Sequence, residues 1–94
     1  MSSASIEHER TVQIANQLGL HARPAAEFVK RANRYRADVC VRKDDIEVNG
    51  KSIMGMMRLA AEPGSELTIR ASGEDSAAAV RDLVALVESR FGED

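Results

Sequence analysis

The chain has 94 residues, 44% of them hydrophobic and 30% charged, which is enough for one small core and too little for two. Aromatic side chains make up only 3% (Phe28, Tyr35, Phe91), and thirteen basic against fifteen acidic residues give a net charge of −2, so there is neither a stacking surface nor a basic footprint for nucleic acid. No stretch approaches the roughly 20 apolar residues that cross a bilayer, residues 1–10 lack a basic-then-apolar leader, and Cys40 is a lone cysteine. The expectation is a cytoplasmic protein with no nucleic-acid partner, membrane insertion, disulfide, metal or cofactor.

In chain order, Met1 to Ser5 is small and polar and reads as a frayed end, part of a flexible extension over residues 1–9; a single domain is expected over 10–94. From Arg10 to Ala15 the apolar residues alternate, with Val12 and Ile14 on one face, the period of a half-buried strand. From Ala22 to Arg34 the period becomes helical, with Ala25, Phe28, Val29 and Ala32 at i, i+3, i+4 and i+7. Val39 and Val41, then Ile46 and Val48 across Lys43, Asp44 and Asp45, read as a hairpin. Asn49-Gly50 is a turn signal, and Ser52 looks like the N-cap of a short helix from Ile53 to Ala60, closed by Pro63-Gly64. Leu67, Ile69 and Ala71 alternate in a further strand that ends at Ser72-Gly73. The last segment, with Asp75 as a plausible cap, carries Val80, Leu83, Val84, Val87 and Phe91 at helical spacing.

The order is β-α-β-β-α-β-α, and every strand has one apolar face, so an antiparallel sheet covered on one side is expected: an α+β (α/β) open-faced sandwich. Several two-layer folds, ferredoxin-like ones included, share this order, because strand pairing is not written in local spacing.

Two segments carry chemistry. In Gly19-Leu20-His21-Ala22-Arg23-Pro24, Pro24 fits the first turn of a helix, which places the boundary near His21, a poor N-cap compared with Ser, Thr, Asp or Asn. Free first-turn N–H groups and the positive helix end favour an anion, and Arg23 offers a guanidinium suited to phosphate. The same field disfavours an imidazolium and leaves a ring nitrogen of His21 free as a nucleophile. Taken alone, His21 reads first as an exposed loop residue that merely ends a strand, and Arg23 by itself does not change this. In Lys51-Ser52-Ile53-Met54-Gly55-Met56-Met57 there is more apolar surface than a one-sided helix hides: Ile53, Met56 and Ala60 share a stripe, and Met54 and Met57 point away from it. Lys51-Ser52 echoes the end of a phosphate-binding loop, but position 45 is Asp45 where the loop's first glycine would stand, which excludes that route to nucleotide.

The string Gly19 to Ala26 resembles the active-site signature of the HPr family, the histidine-containing phosphocarrier proteins of the phosphoenolpyruvate-dependent sugar phosphotransferase system, and the resemblance runs from about Arg10 to Phe91. It implies a four-stranded antiparallel sheet with three helices on one face. It also implies that His21 accepts a phosphoryl group from enzyme I, charged by phosphoenolpyruvate, and passes it to enzyme IIA proteins. Arg23 matches the residue that contacts the phosphoryl group, and Ala22 and Pro24 match positions shaping the helix entrance. Lys51 to Gly55 resembles the regulatory serine segment of members phosphorylated by HPr kinase/phosphorylase, with Ser52 as the target, Ile53, Met54 and Met57 as a docking patch, and a transcriptional regulator as a further partner. The resemblance implies a monomeric carrier that is a substrate of other enzymes and not a catalyst itself. His8 matches nothing and reads as a solvated terminal residue. A regulatory phosphocarrier of a nitrogen-type or incomplete chain, or an interaction module in which His21 is incidental, are the alternatives.

Overall fold

The computed structural model describes residues 6–93; the stretch Met1 to Ser5, read above as frayed, lies outside them. The elements are β1 (Glu7–Gln13), α1 (Ala22–Ala32), β2 (Asp38–Lys43), β3 (Ile46–Asn49), α2 (Ile53–Arg58), β4 (Glu66–Ser72) and α3 (Ser76–Glu88), followed by a single 3₁₀ turn (Arg90–Gly92). The strands form one antiparallel sheet in the order β1-β4-β2-β3. Its alternation places Val12, Val39, Val41, Val48, Leu67, Ile69 and Ala71 on the buried side. Phe28 and Ala25 from α1, Met56 from α2, and Leu83 and Val87 from α3 meet them there, so one face is covered and the other is wet, as the sequence implies. Each fully buried side chain such as Phe28, Leu67 or Ile69 contributes about 1.5–3 kcal/mol relative to exposure. The outer end of α1 is tied to α3 by polar groups: Tyr35 Oη and Arg31 Nη1 both donate to the Asp82 carboxylate, at 2.5 and 2.6 Å. Burial pushes the Asp82 carboxyl up, but these donors outweigh it and hold it below the usual carboxylate range.

β1 and α1 each end two residues before the expected Ala15 and Arg34, and four further details differ from the sequence reading. β1 begins at Glu7, inside the expected extension: Glu7, His8 and Glu9 pair with Ser72, Ala71 and Arg70. No apolar alternation marks these residues, because only the end of β1 reaches the core and the start is held by backbone pairing. His8 is therefore a strand residue whose Nδ1 lies 3.0 Å from the hydroxyl of buried Ser76. α2 ends at Arg58, with Ala60 in the left-handed region, so Ile53, Met56 and Ala60 do not form one buried stripe; of the three only Met56 is buried. Asp75 stands at the N-cap of α3, but its side chain does not cap that helix. Its carboxylate accepts from the amides of Arg36 and Ala37, both at 2.8 Å, and these hold it below the usual range. Phe91, expected on α3, lies beyond its end in the 3₁₀ turn and reaches the core from there.

Candidate functional site

The approach to α1 is set by Gly19. Its φ is +69°, and a Cβ there would lie 2.6 Å from the Ala61 carbonyl oxygen, so a glycine is required both for conformation and for space. Leu20 N–H donates to that same carbonyl at 2.9 Å, and Leu20 is buried. The chain is thus pinned on both sides of the turn just before His21. His21 has extended backbone and is the N-cap of α1; its carbonyl accepts from Ala25 N–H at 3.0 Å, but its side chain makes no capping bond. Pro24 is buried in the first turn, where its missing N–H disrupts nothing. Ala22 and Arg23 between them are exposed, and their amides gain no side-chain cap from His21.

The imidazole instead meets a carboxylate that no sequence spacing announces. Glu93 Oε1 lies 3.0 Å from His21 Nε2 and accepts from Asn16 Nδ2 at 2.8 Å. Glu93 Oε2 accepts from Arg23 Nε at 3.1 Å and from the same residue's Nη2, which also donates to the Phe91 carbonyl at 3.1 Å. The hydrogen bonds from His21 and Arg23 hold the Glu93 carboxyl at about 2, so it is ionised at neutral pH and can only accept. It follows that Nε2 carries the proton in the neutral ring and that Nδ1, which makes no hydrogen bond to the described residues, holds the lone pair. Asn16 is fully buried, donates also to the Gly19 carbonyl at 2.7 Å, and leaves its Oδ1 without a partner among the described residues. Glu93 is placed by the turn after α3, where Arg90, Phe91 and Gly92 have φ of 60°, 55° and 73°. Left-handed backbone costs roughly 1–2 kcal/mol at each non-glycine position, a cost offset here by the buried Phe91 ring. His21, Arg23, Asn16 and Glu93 thus make an anion site in which a carboxylate is already bound.

The Ser52 segment is built differently. Ser52 caps α2: its Oγ accepts from Gly55 N–H at 3.0 Å and its carbonyl accepts from Met56 N–H at 2.9 Å. Lys51, just before it, donates from Nζ to the Tyr35 carbonyl at 2.7 Å, which ties the start of α2 to the end of α1. Ile53, Met54 and Met57 are 48%, 80% and 41% exposed, the exposed apolar group expected there. Asn16 and Glu93 are the residues that sequence reasoning missed. Asn16 directly follows the alternation of Arg10 to Ala15 and carries no pattern of its own, and Glu93 sits near the chain end with no periodic signal. Among the described residues no cluster of His, Cys, Asp or Glu is placed to hold a metal ion, and no helix is long and apolar enough to cross a membrane.

The profile described as the PTS HPr component phosphorylation site matches residues 8–89. The chain belongs to the HPr family. Phosphocarrier protein HPr of Neisseria meningitidis is 44% identical over 85 residues, covering 90% of this chain and 96% of that protein. The HPr-like protein Crh of Bacillus subtilis is 48% identical over 80 residues, covering 85% and 94%. Among solved structures, HPr of Thermoanaerobacter tengcongensis superposes with a TM-score of 0.89 at 46% identity, covering 93% of this chain and 98% of the other. A dimer of HPr from the same organism superposes at 0.75 with 43% identity, covering 99% and 100%. The fold, four antiparallel strands with three helices, is that of the HPr family, whose members are phosphocarriers of the phosphotransferase system and not stand-alone catalysts.

Proposed function

We propose that this chain carries a phosphoryl group on His21, taking it from enzyme I charged by phosphoenolpyruvate and passing it to enzyme IIA proteins. The observation that supports this best is the convergence of His21 and Arg23 on one carboxylate at the start of α1: this corner of the molecule binds an anion beside a ring nitrogen with a free lone pair. In the forward step that lone pair on Nδ1 forms the bond to phosphorus as the bond from phosphorus to the donor breaks, and the electron pair of that bond leaves with the donor atom. Onward transfer reverses this toward the acceptor. Arg23 takes phosphoryl oxygens in its planar fork, Ala22 offers an exposed first-turn amide, and Pro24 fixes the helix entrance. No base is needed on the carrier, because neutral imidazole is itself the nucleophile.

Ile53, Met54 and Met57 form the docking patch for these partners, an exposed, flexible apolar surface suited to more than one of them. Ser52 is the regulatory phosphorylation site. Its phosphate would sit where first-turn amides favour negative charge, so the helix tolerates it while docking at the apolar patch weakens. The carrier works in the cytoplasm as a monomer, with an HPr kinase/phosphorylase and a transcriptional regulator as further partners. A second reading, in which phosphorylation is a signal and no sugar is moved, is supported by the likeness to Crh of Bacillus subtilis, a catabolite repression HPr at 48% identity. Incubation with phosphoenolpyruvate and enzyme I tests the first: an acid-labile, alkali-stable phosphoryl group should appear on the wild-type chain and pass on to an enzyme IIA. A chain that stays unmodified, or a modified chain that cannot pass the group on, contradicts the carrier.

A further inference from the structure

We infer that Glu93 is an internal competitor of the phosphoryl group: its carboxylate occupies the Arg23 fork in the unmodified carrier, must give it up when His21 is phosphorylated, and thereby raises the tendency of the carrier to pass the group on. This rests on the reading of His21 as the acceptor and goes beyond it. Both donors that Arg23 aims at this corner, Nε and Nη2, are committed to Glu93 Oε2, while Oε1 is shared by His21 and Asn16. A phosphoryl group on the same imidazole adds close to two negative charges at neutral pH. It would lie within a ring's width of a carboxylate that is ionised whenever the pH is above about 2. The two anions cannot both hold one guanidinium fork without repulsion.

The means of release is local. Glu93 is attached through Gly92 and through left-handed Phe91 and Arg90, and Phe91 alone anchors this turn in the core. The carboxylate can therefore swing away with Phe91 still buried, leaving sheet and helices as they are. Anything that binds only the unmodified form lowers the affinity of that form for the incoming group. Glu93 does this from within the chain, so every phosphorylation breaks its contacts and every onward transfer restores them. Asn16, buried beneath the site with an Oδ1 that has no partner among the described residues, remains as the fixed floor on which the carboxylate returns.

The test is a partition experiment on the intact chain. Equal amounts of wild type and Glu93→Ala are mixed with catalytic enzyme I and limiting phosphoenolpyruvate, and the exchange is allowed to reach equilibrium. Intact-mass spectrometry then reads the phosphorylated fraction of each. The phosphorylated-to-free ratio should be about three- to tenfold higher for Glu93→Ala, the range expected for losing a charge-assisted contact that is partly open to solvent. A loss of fold stability common to both forms cancels in this ratio, so a merely structural role for Glu93 would give equal partition. Equal partition overturns the inference, as does an excess on the wild type, which would mean that Glu93 supports the phosphorylated ring through Nε2. If neither chain takes up phosphate, the carrier reading itself fails, and this inference falls with it.

Discussion

The starts of α1 and α2 are the same structural object put to opposite uses. At α2, Ser52 closes the helix end with its own hydroxyl, and Gly55 N–H is satisfied within the chain. At α1, His21 stands in the capping position with extended backbone and no side-chain cap, so the first-turn amides stay available while the imidazole faces outward to Glu93. Ser at a cap is what stability selects; His is not. On the carrier reading proposed above, the uncapped end beside Arg23 receives an external anion, whereas the capped end takes a phosphate only as an addition to its own cap.

The largest effect that would break this comparison is at His21. His21→Ala should abolish phosphoenolpyruvate-dependent phosphorylation while the far-UV circular dichroism and thermal unfolding remain close to wild type, since the partly exposed ring is not one of the buried core residues. Retained phosphorylation at the wild-type rate would move the acceptor elsewhere. Next in size is Arg23→Lys, which keeps the charge but not the two-pronged geometry; transfer from enzyme I should slow by about tenfold with the fold intact. Unchanged single-turnover rates would remove Arg23 from the site.

A smaller pair of measurements sharpens the contrast in stability. Ser52→Ala should cost about 1 kcal/mol in urea unfolding, the usual worth of an N-cap. At position 21 the better cap is the substitute and not the native residue, so His21→Ser should be more stable than His21→Ala by about the same amount although neither carries phosphate. Equal stabilities of that pair would mean that the α1 end is already satisfied by other groups. The smallest effect is on pH. Glu93 titrates at about 2 in the folded chain against 4.5 for the free group, so it contributes stability that is fully present above about pH 4.5 and is lost as the pH falls through about 2. Asp75 and Asp82 are lowered too, so the difference between wild type and Glu93→Ala isolates it. Their stability curves should diverge with rising pH across that window and run parallel above it.

Much of this was legible in the residues because it is local. The strand alternation of Val39 and Val41, the helical spacing of Phe28 and Val29, the fixed entry at Pro24 and the cap at Ser52 all depend on neighbours a few positions away. What was not legible depends on chain segments far apart. Glu93 meets His21 across 72 positions, and the contact exists only because Phe91 leaves the helical path and turns the chain back, whereas its spacing from Val87 continued the helix on paper. Asp75 has the composition of a cap, but its carboxylate is claimed by amides 39 and 38 positions earlier in sequence. The start of β1 was missed for a different reason: Glu7, His8 and Glu9 pair through backbone at a place with little core to cover, so their side chains carry no strand pattern.

The most direct test of the account is to identify the modified atom. After incubation with phosphoenolpyruvate and enzyme I, phosphorus-31 and nitrogen-15 spectra of the labelled chain should show a single phosphohistidine, on His21, bonded through Nδ1, with Nε2 still protonated. A phosphoryl group on Nε2, the nitrogen that faces Glu93, on His8, or on no histidine at all would contradict the site as described.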